Sequence, residues 1–483
     1  MSKQRTTFWI VTSVIILGIF FQMWQFTHRQ SFWKDETGLA RNFLTHDLAT
    51  IHEPFGGSQA APIGFLQISK LHEMALGHNE HVFWLLPLFL GIIGIFVATH
   101  TWKNLLPLGA WVMAVGLWAF NPTMIVNITQ FKPYLTDAVV TLVLTWAFFY
   151  YREGGKSGPL VYLLAGLWAL WMSYTSVFVL AGFGLWMIIE SIRFTTRQKV
   201  SRCVAINFIL GAVFALLWVS TYSHLDADGG FQKFWALNFV PLPWAAGGLR
   251  WWCETFGSVF GYIFGQTQWL TWVLLCGLGI AFAIRHNRRL LVLLVPVLLT
   301  ICASLLRLYP IHDRLEIFWT PLLTPFVALG IYAIWRQAKE SPRAVAWVLV
   351  LCVALPYLYP LRALPGMKDP QELKQVTVII QKKAQAGDIV YIHARANELY
   401  KYYFARYPLA PGVTLVYGEK AEAEDLYSYL KKHFAGRHVW VLFAEPFYDP
   451  SELSDVVRQA DARKEMVGMG DFSMAGAFEL RLQ

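Results

Sequence analysis

The sequence predicts a polytopic α-helical membrane protein with about eleven transmembrane helices and a small C-terminal extracytoplasmic α/β domain. Hydrophobic residues make up 56% of the chain and charged residues 15%, whereas soluble domains carry about 25% charged residues. Apolar runs of nearly the roughly 20 residues that cross a bilayer recur over about the first 360 residues. Beyond them the long apolar runs stop and charged residues become frequent.

Each apolar run is assigned to one membrane span. The first is expected to remain as a helix, because bulky residues follow it where a signal peptide would need a small-residue cleavage site. The predicted spans are residues 8–27, 82–100, 106–126, 134–151, 159–174, 177–192, 203–221, 269–284, 290–306, 315–335 and 344–360.

The distribution of basic residues predicts the orientation. With a cytoplasmic N-terminus, Lys and Arg are about five times as dense in the inner loops as in the outer ones, which is the positive-inside bias. Eleven spans then place the C-terminal tail on the extracytoplasmic side. This distribution accounts for the net charge of +9 without a nucleic-acid partner. The expected location is the bacterial cytoplasmic (inner) membrane, with membrane lipids as neighbours.

Long outer segments interrupt the spans. The predicted transmembrane domain, residues 1–365, contains outer loops 28–81 and 222–268. The first loop contains an amphipathic segment, 62–74, expected to lie at the interface. The second is rich in tryptophan and is a candidate mobile cover. The tail, 366–483, alternates helices and short apolar strands, which predicts an α/β domain with a mainly parallel sheet.

Neither the cysteines nor the histidines form a recognisable metal motif. The five cysteines have no paired spacing, so we expect buried small hydrophobic residues rather than disulfides or zinc ligands. Several histidines occur in the first outer loop, but none has a convincing ligand spacing. No cofactor is therefore required by the sequence, although a divalent metal is left open.

Two adjacent carboxylates, Asp35 and Glu36, follow the first span. Adjacent helical residues point about 100° apart, so one of the pair is expected to face any given pocket. A carboxylate near a low-dielectric surface tends toward a raised pKa, which suits a general base. The alternative is an acid pair that stabilises a helix N-terminus.

A second cluster opens the fourth span. Lys132, Tyr134 and Asp137 surround Pro133, which suits the first turn of a helix. Charges at membrane depth are costly and usually face a cavity or a partner. The alternative for Lys132 is a side chain that extends to the interface.

A third cluster precedes the tenth span and contains Arg307, His312, Asp313 and Arg314. Basic residues are scarce on this side, and a guanidinium binds phosphate oxygens in a bidentate manner. The alternatives are pairing of Arg314 with Asp313 or Glu316, or contact with lipid headgroups. Under the predicted topology all three clusters lie on the extracytoplasmic face, as expected for a site that binds a phosphorylated lipid.

The order and spacing of four short motifs resemble the GT-C class of integral-membrane glycosyltransferases. Protein O-mannosyltransferases, aminoarabinose transferases of lipid A and rhizobial galacturonosyltransferases are the most similar in pattern. An Arg that relatives carry before the Leu-Pro pair of the second span is Leu85 here. The motifs are Phe32-Trp-Lys-Asp35-Glu36, Ala60-Ala-Pro62 through Leu85-Leu-Pro87, Gln130-Phe-Lys132-Pro-Tyr134 with Asp137, and Asp313-Arg314 with Phe318 and Pro321.

The resemblance implies a hexosyl- or pentosyltransferase that uses a polyprenyl-phosphate-sugar donor and a lipid, glycan or protein acceptor. Asp35 would be the base, and Glu36 would orient it or the acceptor. Lys132 and Arg314 would bind the donor phosphate, with Tyr134 and Arg307 as weaker candidates and Asp137, Asp313 and His312 in support. A single carboxylate opposite the leaving group implies inversion at the anomeric carbon.

The main alternative is a transporter or flippase of lipid-linked saccharides. Such proteins tend to carry internal repeats and polar residues near mid-bilayer. Here the ionisable clusters lie at the outer ends of spans and the two halves show no repeat. A receptor or scaffold would leave the first-loop acid pair without a role. A phosphoethanolamine transferase would be expected to have metal ligands and a Thr nucleophile in its soluble domain, and the tail has no such cluster.

Overall fold

The computed structural model describes residues 3–53, 55–56, 59–194, 197–220, 230–265, 268–338, 372–419, 425–444, 450–463, 466–472 and 475–482. The chain divides into two compact units. Unit 1 consists of Met1–Thr27, Leu48–Pro54 and Ala60–Gly366. Unit 2 consists of His28–Asp47, Phe55–Gln59 and Met367–Gln483, so it includes two pieces of the first outer loop.

Helices dominate the chain up to Ala338. They are α1 Lys3–His28, α2 Lys34–Phe43, α3 Ile63–Leu76, α4 Glu80–Lys103, α5 Leu108–Ala119, α6 Pro122–Asn127, α7 Tyr134–Arg152, α8 Gly158–Met172, α9 Ser176–Phe194, α10 Arg197–Ser220, α11 Gly230–Phe234, α12 Gly248–Phe264, α13 Trp269–His286, α14 Leu294–Leu305 and α15 Thr320–Ala338.

The predicted multi-span membrane protein is confirmed. Among the described residues, seven helical segments are long and apolar enough to cross a membrane, and three shorter apolar helices accompany them. These ten segments coincide with the first ten predicted spans. The eleventh, 344–360, lies outside the described residues. Segment 62–74 also forms a helix, α3, as predicted.

Local sequence signals explain where several helices begin. Asn79 caps α4 by accepting a hydrogen bond from the Val82 N–H at 3.2 Å. Asn121 caps α6 in the same way, and Pro122 occupies its first turn, where the missing N–H costs nothing. Pro133 directly precedes α7 and fixes the chain direction at the second predicted cluster.

Small residues let two helices of unit 1 approach closely. A Cβ added at Gly279 in α13 would meet the Phe326 backbone, and one added at Gly330 in α15 would meet the Leu275 backbone. Close backbone packing of this kind joins membrane helices where water provides no hydrophobic driving force. This packing holds α15 beside α13, and α15 continues the chain from the third predicted cluster.

Unit 2 contains a five-stranded sheet in the order β2-β1-β3-β5-β4. β1 pairs in parallel with β2 and β3, whereas β5 pairs antiparallel with β3 and β4. The elements are α16 Leu373–Lys383, β1 Ile389–Ile392, α17 Asn397–Arg406, β2 Thr414–Tyr417, α18 Leu426–Phe434, β3 His438–Ala444, α19 Pro450–Ala462, β4 Met466–Phe472 and β5 Ala475–Arg481.

The predicted α/β fold of the tail is confirmed, but its sheet is mixed rather than mainly parallel. The sequence did not reveal β4, because two glycines in Met466–Phe472 interrupt the apolar alternation that marks a strand. An antiparallel β4–β5 hairpin therefore follows the α/β part. Buried residues of β1, β3 and β5, including Val390, Val441 and Leu480, form the centre of the sheet.

Candidate active site

The start of α7 presents two of the predicted phosphate-binding side chains. Lys132 is buried, with 7% of its surface exposed, and Tyr134 is the first residue of α7. The backbone turns sharply there, since the Lys132 N–H donates to the Gln130 carbonyl at 2.7 Å. A cation buried in this position requires polar or anionic neighbours.

The loop between α14 and α15 brings Arg314 to the same place. Its guanidinium carbon lies 5.8 Å from the centre of the Tyr134 ring, within the range of a cation–π contact. Two predicted clusters, about 180 residues apart in sequence, therefore meet in unit 1. A guanidinium held near an aromatic ring keeps its N–H groups available for paired contacts to phosphate oxygens.

Glu316 and His312 hold this loop in shape. Glu316 is completely buried and accepts the His312 backbone N–H at 2.8 Å. The His312 ring packs edge-on against Trp235, and burial lowers the pKa of this imidazole. The Ile311 N–H donates to the Asn238 carbonyl at 2.8 Å, so the second outer loop also supports the segment.

A cavity of about 390 Å³ lies beside the loop in unit 1. Asp313 and Tyr262 are among its lining residues, together with Glu254 and Trp269. The Tyr262 hydroxyl accepts a long hydrogen bond of 3.4 Å from the Asn127 amide. The sequence analysis did not single out Tyr262 or Asn127, because no local motif marks either residue.

Asp137 and Arg307 occupy different surroundings. Asp137 is buried and accepts a 2.5 Å hydrogen bond from the Ser173 hydroxyl in the segment between α8 and α9. Arg307 is exposed just after α14 and has a φ of 58°, the left-handed region. Arg307 thus forms the turn that leads into the loop.

In unit 2, the predicted acid pair lies in the first turn of α2. Glu36 is completely buried, forms an ion pair with buried Arg29 and accepts the Trp33 N–H at 3.2 Å. It therefore caps the helix. Asp35 is half-buried. The two carboxylates therefore have different surroundings, as predicted, because adjacent side chains on a helix point in different directions.

Residues of the C-terminal tail hold this turn. The Tyr403 hydroxyl in α17 accepts the Phe32 N–H at 2.8 Å and lies 3.2 Å from the Ser31 hydroxyl. The Lys374 N–H also donates to the Ser31 hydroxyl, at 3.3 Å. Within unit 2, the tail therefore fixes the segment that carries Asp35, three residues beyond Phe32.

The histidine-rich part of the first outer loop forms an ionic cluster on α3. Glu73 pairs with Lys70 at 2.7 Å and with His78. Burial raises the pKa of Glu73, but hydrogen bonds from His78 and Lys70 outweigh it, so the pKa lies below that of an ordinary glutamate. Over the described ranges, no group of three or more His, Cys, Asp or Glu could hold a metal ion. The expectation that no cofactor is required stays a prediction.

The predicted meeting of Asp35 with Lys132 and Arg314 stays a prediction, because Asp35 belongs to unit 2 and the two cations to unit 1. Two preformed groups of residues are established. In one, a half-buried carboxylate lies beside a buried ion pair, and in the other Arg314 lies over the Tyr134 ring, which is two residues from buried Lys132. The first suits proton acceptance, and the second suits binding of an anion.

Comparison with known structures identifies the fold. The chain is similar to ArnT from Cupriavidus metallidurans in the apo state, with a TM-score of 0.58, 12% identity and 98% of each chain covered. It is also similar to the same protein bound to undecaprenyl phosphate, with a TM-score of 0.55, 12% identity and 97% of each chain covered. No family model and no curated protein matches the sequence.

A second protein of known structure has the same fold. The oligosaccharyltransferase AglB from Archaeoglobus fulgidus, in complex with an inhibitory peptide and a dolichol-phosphate, gives a TM-score of 0.54 and 10% identity. The match covers 91% of this chain and 70% of AglB. The chain is therefore an integral, multi-pass membrane protein that shares the fold of ArnT and AglB, the GT-C fold that its motifs predicted.

Proposed function

We propose that this chain transfers a sugar from a polyprenyl-phosphate-sugar donor to a lipid, glycan or protein acceptor. The reaction takes place on the extracytoplasmic face of the bacterial cytoplasmic membrane. The observation that carries the proposal is the cation–π contact of Arg314 with Tyr134, which lies two residues after buried Lys132. Two solved structures with this fold are complexes with undecaprenyl phosphate or a dolichol-phosphate, which supports the donor class.

Lys132 and Arg314 bind the donor phosphate in this proposal. The bond that breaks joins the anomeric carbon to a phosphate oxygen, and the lipid phosphate leaves as an anion. Negative charge therefore grows on the phosphate during the reaction. Fixed cations stabilise that charge most effectively where water is excluded. Burial of Lys132 and the contact of Arg314 with the Tyr134 ring support this role.

Asp35 acts as the base. The acceptor hydroxyl or amine attacks the anomeric carbon, and its proton passes to the Asp35 carboxylate as the new bond forms. The lipid phosphate leaves on the opposite face, so the configuration at the anomeric carbon inverts. The phosphate leaves as a stable anion, so the reaction needs no general acid. A single catalytic carboxylate is therefore sufficient.

Glu36 is a positioning residue. Its carboxylate is already used by Arg29 and by the Trp33 N–H, so it orients the helix turn that carries Asp35. The predicted supporting residues have similar roles: His312 and Asp313 belong to the loop that carries Arg314, and Asp137 joins α7 to the Ser173 segment. Tyr134 orients the Arg314 guanidinium.

The experiment supplies purified protein in neutral-lipid nanodiscs with a panel of radiolabelled polyprenyl-phosphate sugars and a bacterial membrane-lipid extract as acceptor. Transfer releases unglycosylated polyprenyl phosphate and labels an acceptor. A parallel assay in liposomes follows movement of a fluorescent lipid-linked saccharide between leaflets. Label transfer without movement supports the proposal. Movement without cleavage of the sugar–phosphate bond would support the transporter instead.

A further inference from the structure

A second cavity lies in unit 1, apart from the residues assigned to the donor. It measures about 900 Å³ and is lined by the ends of several helices, including Arg152 of α7 and Arg202 of α10. Because α7 has 19 residues, a rise of about 1.5 Å per residue places Arg152 about 27 Å from Tyr134. The two cavities are therefore at opposite ends of α7, and the larger is on the predicted cytoplasmic side.

Basic side chains from different elements converge on this cavity. Lys156 lies between α7 and α8, Arg202 in α10 and Arg289 beyond α13. The Arg152 guanidinium already donates two hydrogen bonds to the Glu190 carboxylate. Within the described part of the chain, neither Lys156, Arg202 nor Arg289 forms an ion pair with a carboxylate.

The positive-inside bias accounts for basic residues in inner loops but not for their position around a cavity. The lining carries four basic side chains against the two carboxylates of Glu153 and Glu190, so the recess has a net positive charge that a bound anion offsets. The recess is within the roughly 300–1,000 Å³ typical of ligand sites. Guanidinium groups bind phosphate through paired hydrogen bonds, and basic recesses between membrane helices bind lipid headgroups.

We propose that this cavity is a binding site for a phosphate group, carried by an anionic phospholipid or by a soluble phosphate ester. Arg202 and Arg289 bind the phosphate oxygens, and Lys156 adds a third positive charge. The site is separate from sugar transfer and does not depend on the proposed function. Arg285 serves as a matched comparison, since it is an exposed arginine in the last turn of α13 that does not line the cavity.

The test uses full-length protein in uncharged detergent. Affinity for dihexanoyl-phosphatidylglycerol and for inorganic phosphate is measured from ligand-dependent thermal shifts in the wild type and in Arg202→Gln, Arg289→Gln and Arg285→Gln. Each of the first two substitutions should weaken binding about tenfold, because a hydrogen bond to a charged group is lost. Arg285→Gln should bind as the wild type does.

A phospholipid and a soluble phosphate ester would give different results, and either result supports the proposal. For a phospholipid site, native mass spectrometry retains phosphatidylglycerol on the wild type but not on Arg202→Gln, and inorganic phosphate does not displace it. For a soluble ester, inorganic phosphate alone gives the Arg202-dependent shift. If neither probe binds, or if all three substitutions weaken binding equally, the cavity has no phosphate site. Arg202→Gln and Arg289→Gln are independent, so misfolding of one leaves the other to decide.

Discussion

The Tyr403 hydroxyl accepts a hydrogen bond from the backbone N–H of Phe32 over 2.8 Å, joining the C-terminal tail to the segment that carries Asp35. Tyr403→Phe leaves this buried N–H without its acceptor, which should destabilise unit 2 by about 1–3 kcal/mol. We expect kcat to fall about tenfold through loss of positioning while donor affinity is unchanged. Steady-state transfer and donor binding measured on the same preparation check this.

The matched control is Tyr407→Phe, which removes a hydroxyl from the residue just beyond α17. It should leave kcat and melting temperature near the wild-type values. Equal losses in both variants would indicate a general effect on the tail. An unchanged kcat in Tyr403→Phe would remove the positioning role.

Arg314 is expected to govern donor affinity. Arg314→Gln should weaken binding of polyprenyl phosphate about tenfold or more, because a charge-assisted contact to phosphate is lost. Arg314→Lys should restore only part of it, since an ammonium lacks the planar fork that binds phosphate oxygens in pairs. Binding of labelled polyprenyl phosphate to protein in nanodiscs provides the measurement.

Exposed basic residues of the outer segments serve as controls for Arg314. Lys233→Gln should bind the donor as the wild type does, because Lys233 is exposed on α11. Arg307→Gln should have a smaller effect than Arg314→Gln, since Arg307 is exposed at the turn after α14. If Arg307→Gln had the larger effect, Arg307 would be the main phosphate ligand.

Glu316 should stabilise the Arg314 loop through its hydrogen bond from the His312 N–H. Glu316→Ala leaves a donor without an acceptor and removes a buried side chain, which should cost about 1–3 kcal/mol and raise KM for the donor. Glu316→Gln keeps an acceptor oxygen and should behave nearly as the wild type does. Thermal unfolding and donor titration distinguish the variants; similar values for Ala and Gln would contradict this role.

The stability of unit 2 should depend on Asp388 at low pH. Burial raises the pKa of this carboxyl, but hydrogen bonds from the Gln385 N–H, Trp440 and His438 outweigh it, so the pKa lies below the ordinary value. The ionised Asp388 carboxylate therefore stabilises the folded state above the unfolded-state pKa of about 3.9. This stabilisation is lost as the pH falls through the folded-state pKa.

Asp388→Asn should therefore lower the melting temperature at pH 6–7, by an amount that corresponds to about 1–3 kcal/mol. The difference from the wild type should shrink below about pH 3.9. Asp455→Asn, an exposed acid paired with Arg458, is the control and should show little effect at any pH. A difference that grows as the pH falls would have the opposite sign from the one predicted.

Much of the fold can be predicted because bilayer thickness fixes the length of an apolar run. The first ten spans and most strands of the tail follow from local patterns. β4 does not, because its two glycines break the alternation and only pairing with β5 stabilises it. The prediction of a mainly parallel sheet was wrong because β4 was not recognised. The strands with antiparallel partners are β4 and β5, together with β3 on its β5 side.

The candidate site could be predicted only in part. Lys132 and Arg314 were recognisable as charges at the ends of spans, and the helical angle predicted that only one of Asp35 and Glu36 would face a pocket. The sequence could not show which carboxylate is used structurally, because that depends on the ion pair with Arg29. Tyr262 and Tyr403 were missed because their contacts are long-range and no local pattern encodes them.

The most direct test is single-turnover transfer from a radiolabelled polyprenyl-phosphate sugar by Asp35→Asn, with donor binding measured on the same nanodiscs. We expect wild-type affinity for the donor and a transfer rate lower by about 10²–10⁴-fold, the usual contribution of a general base. Glu53→Gln, at an exposed acid of the first outer loop, should transfer normally. A folded Asp35→Asn protein that binds donor and transfers sugar at the wild-type rate would contradict the assignment of the base.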